Sequence, residues 1–396
     1  MNPTTITVLA ALLLAPLAAL HADDATRAVE QDPAVVAYYF PCWHRLPEQN
    51  GEGFGEWPSI AKAKPRFEGH RQPSRPLWGV EDEADPKVMA KKIDAAADHG
   101  LSAFVFCWYY YEQGEYLERA VNEGYLKAAN KSRLPFALMW ANADVATQPV
   151  RKGAVTREVF DRMTDLLVTR YFKDPAYWRV NRCCYFSIYQ PMTFIKGLSG
   201  VAEARAALDD FRRKANAAGC GPLHLNLVDY ELVKQSDAMK PVRDLGADSV
   251  TSYVWLHDPA AWEAFRFPAT DFDAVKNAYF ATWDKWWVHT GIHFPNVTMG
   301  WDPTPRLPPG QAHTGAAGYP DTPVMINNTP AHFKAALLEA QARARKLPPG
   351  QRIVTIYAWN EWTEGGYLEP EARTGMGYLE AVRDVFRRPN SPPTGP

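Results

Sequence analysis

Cysteine is scarce and unpatterned, with five residues in 396, at positions 42, 107, 183, 184 and 220. An odd number without any Cys-x-x-Cys spacing excludes a disulfide framework, a structural zinc site and a thioredoxin-type redox pair. The adjacent Cys183 and Cys184 are expected to contribute small buried side chains, with a bridge to Cys220 left open in an oxidising compartment. An excess of either charge is also missing: 43 Lys and Arg stand against 45 Asp and Glu, a net charge of −2. That balance excludes a nucleic-acid footprint and long disordered tails. The ten His are scattered and no acidic calcium loop or glycine-rich phosphate turn occurs, so neither a metal nor a nucleotide cofactor is expected. Long apolar runs are confined to one, Ile6 to Leu20, and no later segment reaches the length that spans a bilayer. Although Lys and Arg are absent before it, this run is expected to be a secretory signal, residues 1–22, cleaved after Ala22. The mature protein is then expected to be secreted or periplasmic, without stable membrane insertion.

What is abundant is aromatic: 14 Trp, 18 Tyr and 18 Phe, with 33 Pro. Such surface in a near-neutral chain suits a cleft for an uncharged ring-shaped ligand, or else a large aromatic core. Short apolar runs alternate with amphipathic ones. The strands are expected at Val35–Phe40, Leu101–Trp108, Phe136–Ala141, Tyr185–Tyr189, Leu223–Val228, Ser249–Trp255, Val297–Trp301 and Ile353–Trp359. Helical patterns fall at about 86–99, 116–131, 156–171, 201–218, 236–245, 272–290, 330–346 and 376–387. In the stripe at 201–218, Val201, Ala204, Leu208, Phe211 and Ala215 recur every three or four residues, opposite charged positions. Eight strand–helix units make an α/β fold, a single (β/α)8 TIM barrel over about residues 33–390. A doubly wound sheet is the competitor, but the turn after its first strand carries Pro41, Cys42, Trp43 and His44 where phosphate-binding glycines would stand. The stretches Arg45–Glu83 and Trp301–Pro330 are expected to form long loops over the C-terminal face.

In such a barrel the carboxyl ends of the strands converge on one mouth, where active sites are built. Seven of the eight strand ends combine Trp or Tyr with Asn, Asp, His, Gln or Glu, the pairing that packs on sugar faces and satisfies hydroxyls. The last group, Trp359-Asn360-Glu361-Trp362-Thr363-Glu364-Gly365, holds two carboxylates. Three residues apart, they would point to opposite faces of a regular strand, but a turn beyond the sheet can bring both over the barrel axis. Aromatic surroundings would raise the pKa of one Glu and leave the other charged, the division of labour that glycosidic cleavage needs. A charged loop paired with Arg306 would explain the same spacing.

The runs Tyr38-Tyr39-Phe40-Pro41-Cys42-Trp43-His44, Gly53-Phe54-Gly55-Glu56-Trp57, Trp140-Ala141-Asn142, Gly300-Trp301-Asp302-Pro303-Thr304-Pro305-Arg306 and Trp359 to Gly365, with Tyr367-Leu368-Glu369-Pro370, occur in order. Together they resemble the successive motifs of the glycoside hydrolase family 99-like, or WbsX-type, domain, from Val35 to the chain end. The resemblance implies a (β/α)8 barrel acting on glycans with retention. It implies that Glu361 acts as a base on the sugar 2-hydroxyl, and that Glu364 is the general acid and then the base that activates water. Tyr39, His44, Glu56, Trp57 and Asn142 match motif positions expected near the sugar. Trp108, Tyr189, Trp255, Trp301, Asp302, Arg306, Asn360 and Trp362, at strand ends or in the motifs, complete the expected substrate-binding set. Two departures bear on the substrate: Asn142-Ala143-Asp144-Val145 stands where the pattern continues Asn-Glu-Asn-Trp, and Pro303 stands where Asn is usual.

The expected activity is therefore hydrolysis of a glycosidic bond in a polysaccharide or oligosaccharide of mannose-like or rhamnose-like sugar, by a chain acting as a monomer. Some WbsX-type domains are described as glycosyltransferases of surface polysaccharide assembly, and export argues against that alternative because activated donors are cytosolic. A non-catalytic glycan-binding protein is the third reading, and would not need the Glu pair. Arg306 and His257 could read a sulfate or uronate, or merely pair with carboxylates.

Overall fold

The computed structural model describes residues 33–45, 55–146 and 150–386. The expected leader at 1–22 and the Gly53-Phe54 part of the second motif lie outside the described residues. A single parallel sheet curls into a nearly closed barrel. Its strands are β1 (Ala34–Tyr39), β2 (Ala103–Tyr111), β3 (Phe136–Trp140), β4 (Cys183–Ile188), β5 (Leu223–Val228), β6 (Ser249–Thr251), β7 in two parts (His293–Phe294 and Asn296–Thr298) and β8 (Ile353–Tyr357). Each pairs in parallel with its sequence neighbours, and β1 also pairs with β8, Ala34 opposite Ile353. The break in β7 falls at Pro295, which has no N–H to give to a ladder. Its first part pairs with β6 and its second with β8, so the two ends of the sheet meet at this residue. The carbonyl of Pro295 still accepts from the Thr355 N–H at 3.0 Å.

The crossovers are helices α1 (Pro86–Asp98), α2 (Arg157–Leu166), α3 (Val201–Ala217), α4 (Met239–Leu245), α5 (Phe272–Lys285) and α6 (Pro330–Ala344), with α7 (Gly377–Phe386) after β8. Helix α1 shows why they form where they do. Pro86 opens it, the Asp85 side chain accepts from the Lys87 N–H at 2.8 Å, and Met89, Ile93 and Ala96 are buried. Helix α3 buries Ala204, Leu208, Phe211 and Ala215, but Val201, in its first turn, is exposed. The pattern at 116–131 is not one regular helix: a π turn at Ala120–Tyr125 and a 3₁₀ turn at Lys131–Arg133 make the second crossover.

Three shorter helices, Trp57–Lys62, Pro191–Gly197 and Pro259–Ala264, lie outside the expected pattern. Each is six or seven residues long and opens on Pro within its first two positions, too short to show a helical period. The loop over β1 docks beside the final motif: its Pro76 bridges Glu371, and the Trp57 ring sits 6.2 Å from that of Trp362. Cys184 is buried as expected but Cys183 is half-buried, and all five cysteines are free.

Candidate active site

The chain leaves β8 through Ala358, Trp359 and Asn360, all buried, and turns through a 3₁₀ segment, Trp362–Glu364. That turn replaces the alternation of a strand and swings both Glu361 and Glu364 to the barrel mouth. It depends on two glycines. Gly365 has φ +76°, and a Cβ there would lie 2.8 Å from the Asp302 backbone nitrogen; a Cβ on Gly366 would enter the Tyr357 ring. Backbone bonds between Glu361 and Gly366 close the turn at 2.8 and 3.1 Å.

Both carboxylates meet one guanidinium. Arg306 donates from Nη2 to Glu361 Oε1 at 2.8 Å and from Nη1 to Glu364 Oε1. Its Nε also reaches Glu56 Oε2 at 3.0 Å, and Thr363 donates to the same Glu56 oxygen. Glu361 accepts from the Tyr253 hydroxyl at 3.2 Å; Glu364 accepts from Tyr319 at 2.6 Å and from Tyr357. Burial pushes the Glu361 carboxyl well above its ordinary range; the charge of Glu364 pushes the same way, against the pull of Arg306. The three carboxylates in turn hold Arg306 charged despite its burial.

The pair lies on the wall of a cavity of about 880 Å³ at the C-terminal face. Of the expected site residues, the structure brings together Glu361, Glu364, Glu56, Arg306, Tyr189 and Trp301 on that wall. The others do not line it, and most of their polar atoms are turned to protein partners. Asn360 bonds the Phe40 backbone at 2.8 and 2.9 Å and Glu83 at 2.7 Å, tying the end of β1 to the end of β8. Tyr39 donates to Glu83, which Lys92 also meets at 2.7 Å; Lys92 joins Glu369, which accepts from Trp362 Nε1. Trp57 packs on Trp43, and Trp362 stacks on Tyr367 at 4.0 Å. Asn142 exchanges two bonds with the Gln190 backbone at 2.7 and 2.9 Å. Trp108 donates to Glu115, and Trp255 to the Asn296 carbonyl. His44 is buried, with Nδ1 against the Arg45 carbonyl and Nε2 unpartnered. Asp302 faces a second, smaller cavity of about 240 Å³. There burial raises its pKa, but bonds from His70, Thr304 and Gln72 outweigh it and hold the carboxyl below the usual range.

The mouth holds residues that sequence reasoning missed. Tyr253 was overlooked because β6 was expected to run on to Trp255; it ends at Thr251, so Tyr253 reaches the cavity and Trp255 turns into the core. Tyr357 was taken as strand interior, and Tyr319 lies in a long loop without periodicity. Tyr230, by contrast, belongs to one of the strand ends expected at the mouth; it follows β5, lines the cavity and stacks on Tyr189 with ring centroids 5.7 Å apart. Among the described residues no group of three or more His, Cys, Asp or Glu is arranged to hold a metal ion.

Similarities to known proteins agree with this architecture. A solved glycoside hydrolase-like protein superposes with a TM-score of 0.59 at 14% identity, over 91% of this chain and 95% of that one. The family 99 endo-α-mannosidase from Bacteroides thetaiotaomicron does so at 0.56 and 16% identity, over 89% and 95%. At such identities the likeness is one of fold. Two curated relatives, each described as uncharacterized protein WxcX, from two strains of Xanthomonas campestris pv. campestris, are 29% identical over 370 residues. That match takes in 89% of this chain, which spans about half the length of those relatives. Residues 35–382 match the family described as Glycosyltransferase WbsX, and the chain belongs to that family.

Proposed function

We propose that this chain is a glycoside hydrolase that acts after export on a polysaccharide or oligosaccharide, with Glu361 and Glu364 as its catalytic pair. The observation that carries the reading is the pair itself, two carboxylates sharing Arg306 at one wall of an aromatic cavity. The cavity volume falls within the range of about 300–1,000 Å³ usual for small-ligand sites. In the retaining scheme the family resemblance implies, Glu361 takes the 2-hydroxyl proton, and Glu364 protonates the leaving oxygen and then activates water. A base is stronger for a raised pKa, which suits Glu361 once ionised. Unliganded, however, its burial favours the protonated form. In that scheme the transferable proton must rest on Glu364 when a sugar is bound, leaving Glu361 to act as the base. A mannose-like or rhamnose-like unit at the reacting position follows from the resemblance alone.

The family's description favours a second reading, glycosyl transfer. A nucleotide donor would bring its diphosphate to the reacting carbon, where Glu56, Glu361 and Glu364 already face a single Arg306. The leaving group would meet uncompensated negative charge there, which argues for hydrolysis. A binding module would gain nothing from burying two apposed carboxylates. The test is a screen of the purified protein against mannans, rhamnose-containing polymers and acidic glycans, with product masses measured. New reducing ends support hydrolysis; sugar addition to an acceptor from a nucleotide donor overturns it.

A further inference from the structure

The cavity is electrically lopsided. Among the described residues two cationic side chains line it, Arg306 and Lys234. Arg306 is fully engaged by three carboxylates and cannot also read an anion. Lys234 stands in the 3₁₀ turn Leu232–Lys234 after β5, across the mouth from β8. Its ammonium lies 3.8 Å from the Tyr230 ring centroid, and among the described residues no carboxylate comes within 4 Å of it. The two nearest acids in sequence are occupied elsewhere: Glu231 accepts from the Met192 and Thr193 N–H groups at 2.7 and 3.1 Å, and Asp237 pairs with Arg243 at 2.6 Å.

Around Lys234 the wall is a platform. Tyr189 and Tyr230 stack nearly parallel, 13° apart, and the His257 ring lies 4.3 Å from Tyr230. His257 meets the Tyr189 hydroxyl through Nε2 at 3.3 Å, while its Nδ1 has no partner in the protein. Burial, helped by the charge of Lys234, drives the His257 pKa down to about 3, so the ring beside Lys234 is neutral; Asp144, which also lines the cavity, is paired with Lys152 at 2.7 Å. Trp262, which also lines the cavity, is exposed. A tyrosine platform fits the apolar face of a sugar ring, and an ammonium without a carboxylate partner fits an anionic substituent on that ring.

We propose that Tyr189, Tyr230, His257 and Lys234 form a subsite for an acidic sugar, one carrying a carboxylate or a sulfate ester, placed away from the bond that is cut. The placement rests on the hydrolase reading, because the wall at Glu56, Glu361 and Glu364 would repel the same anion. The substrate is then an acidic glycan whose charged unit sits one or more residues from the scissile linkage.

The experiment is binding of the full protein to a bacterial glycan array holding uronate-bearing, sulfated and neutral structures. Acidic hits are repeated after carboxyl reduction or desulfation, which tells the two anions apart. The wild type is expected to select acidic glycans over their neutralised counterparts. In K234Q that preference should fall by roughly tenfold or more, the worth of one charge-assisted hydrogen bond, and K234R should restore it. Binding confined to neutral glycans, or an acidic preference unchanged in K234Q, overturns the subsite. Products from the same glycans are followed by mass spectrometry. Acid-selective binding without cleavage leaves the subsite standing and removes the hydrolase reading; cleavage of neutral glycans only does the reverse.

Discussion

Arg306 donates to Glu361 at 2.8 Å, and this bond joins the end of β8 to the loop that follows β7. The same guanidinium holds Glu364 and Glu56, so one positive charge answers three negative ones. Burial, with the charge of Glu364, still raises the Glu361 pKa against the pull of that guanidinium.

Removing the cation should therefore damage catalysis more than binding. R306Q is expected to lower turnover about 10²–10³-fold, in the range of losing a preorganised electrostatic partner. Arg306 lowers the Glu361 pKa, so its loss should move the limb of the pH–rate profile that Glu361 sets to higher pH. R306K should restore part of the rate without the forked geometry. An unshifted profile for R306Q would falsify this account of the pair.

The raised pKa of Glu361 makes a stability prediction with a definite sign. Its folded value lies above its unfolded one, so the favourable contribution is complete below the unfolded pKa and is lost as pH rises through the folded value. E361Q, which cannot ionise, should therefore gain on the wild type between pH 4 and pH 8. The expected relative gain is about 1–3 °C in melting temperature. Thermal unfolding followed at both pH values checks it, and a gain appearing only at pH 4 contradicts it.

The tyrosines that sequence reasoning missed should matter for rate. Y357F removes a donor to Glu364 and Y253F removes one to Glu361. Each is expected to slow the chemical step about 10–100-fold, since hydrogen bonds to charged groups are worth about 1.5–3 kcal/mol. Single-turnover rates separate this from product release. Wild-type single-turnover rates in both variants would place these hydroxyls outside the mechanism.

Behind the site, Lys92 lies buried between Glu83 and Glu369, 2.7 Å from each. Through Asn360 and Trp362 these two acids hold the turn that carries Glu361 and Glu364. K92M would leave two buried carboxylates unpaired, a loss of about 3–5 kcal/mol. Urea denaturation of K92M and the wild type measures it. A difference below about 1 kcal/mol would mean that water reaches the cluster.

The barrel was legible because a parallel strand buried on both faces is a continuous apolar run, as Leu223–Val228 is, and because α1 and α3 carry plain helical stripes. Strand ends were less legible. Beyond Thr251, the residues Tyr253 and Trp255 look alike in sequence, and only the early end of β6 decides which faces the cavity. The Glu pair stood out through the motif it belongs to rather than its spacing, because a charged loop paired with Arg306 has the same spacing and that pairing is present. The motif residues Asn142, Asn360, Tyr39 and Trp362 could not be sorted from wall residues, because a side chain that holds a catalytic loop and one that holds a sugar are both polar or aromatic at a strand end. Glu83, Lys92 and Glu369, which the structure joins into one cluster, are scattered over nearly 300 positions with no local pattern.

The central claim is that Glu361 and Glu364 together break a glycosidic bond with water. The direct measurement is incubation of the glycan identified by screening with wild type, E361Q and E364Q in ¹⁸O-labelled water, followed by product mass and rate. One ¹⁸O per new reducing end, with turnover reduced about 10²–10⁴-fold in each variant, is the predicted result. Near-wild-type turnover by both variants, or sugar transfer without ¹⁸O incorporation, would contradict it.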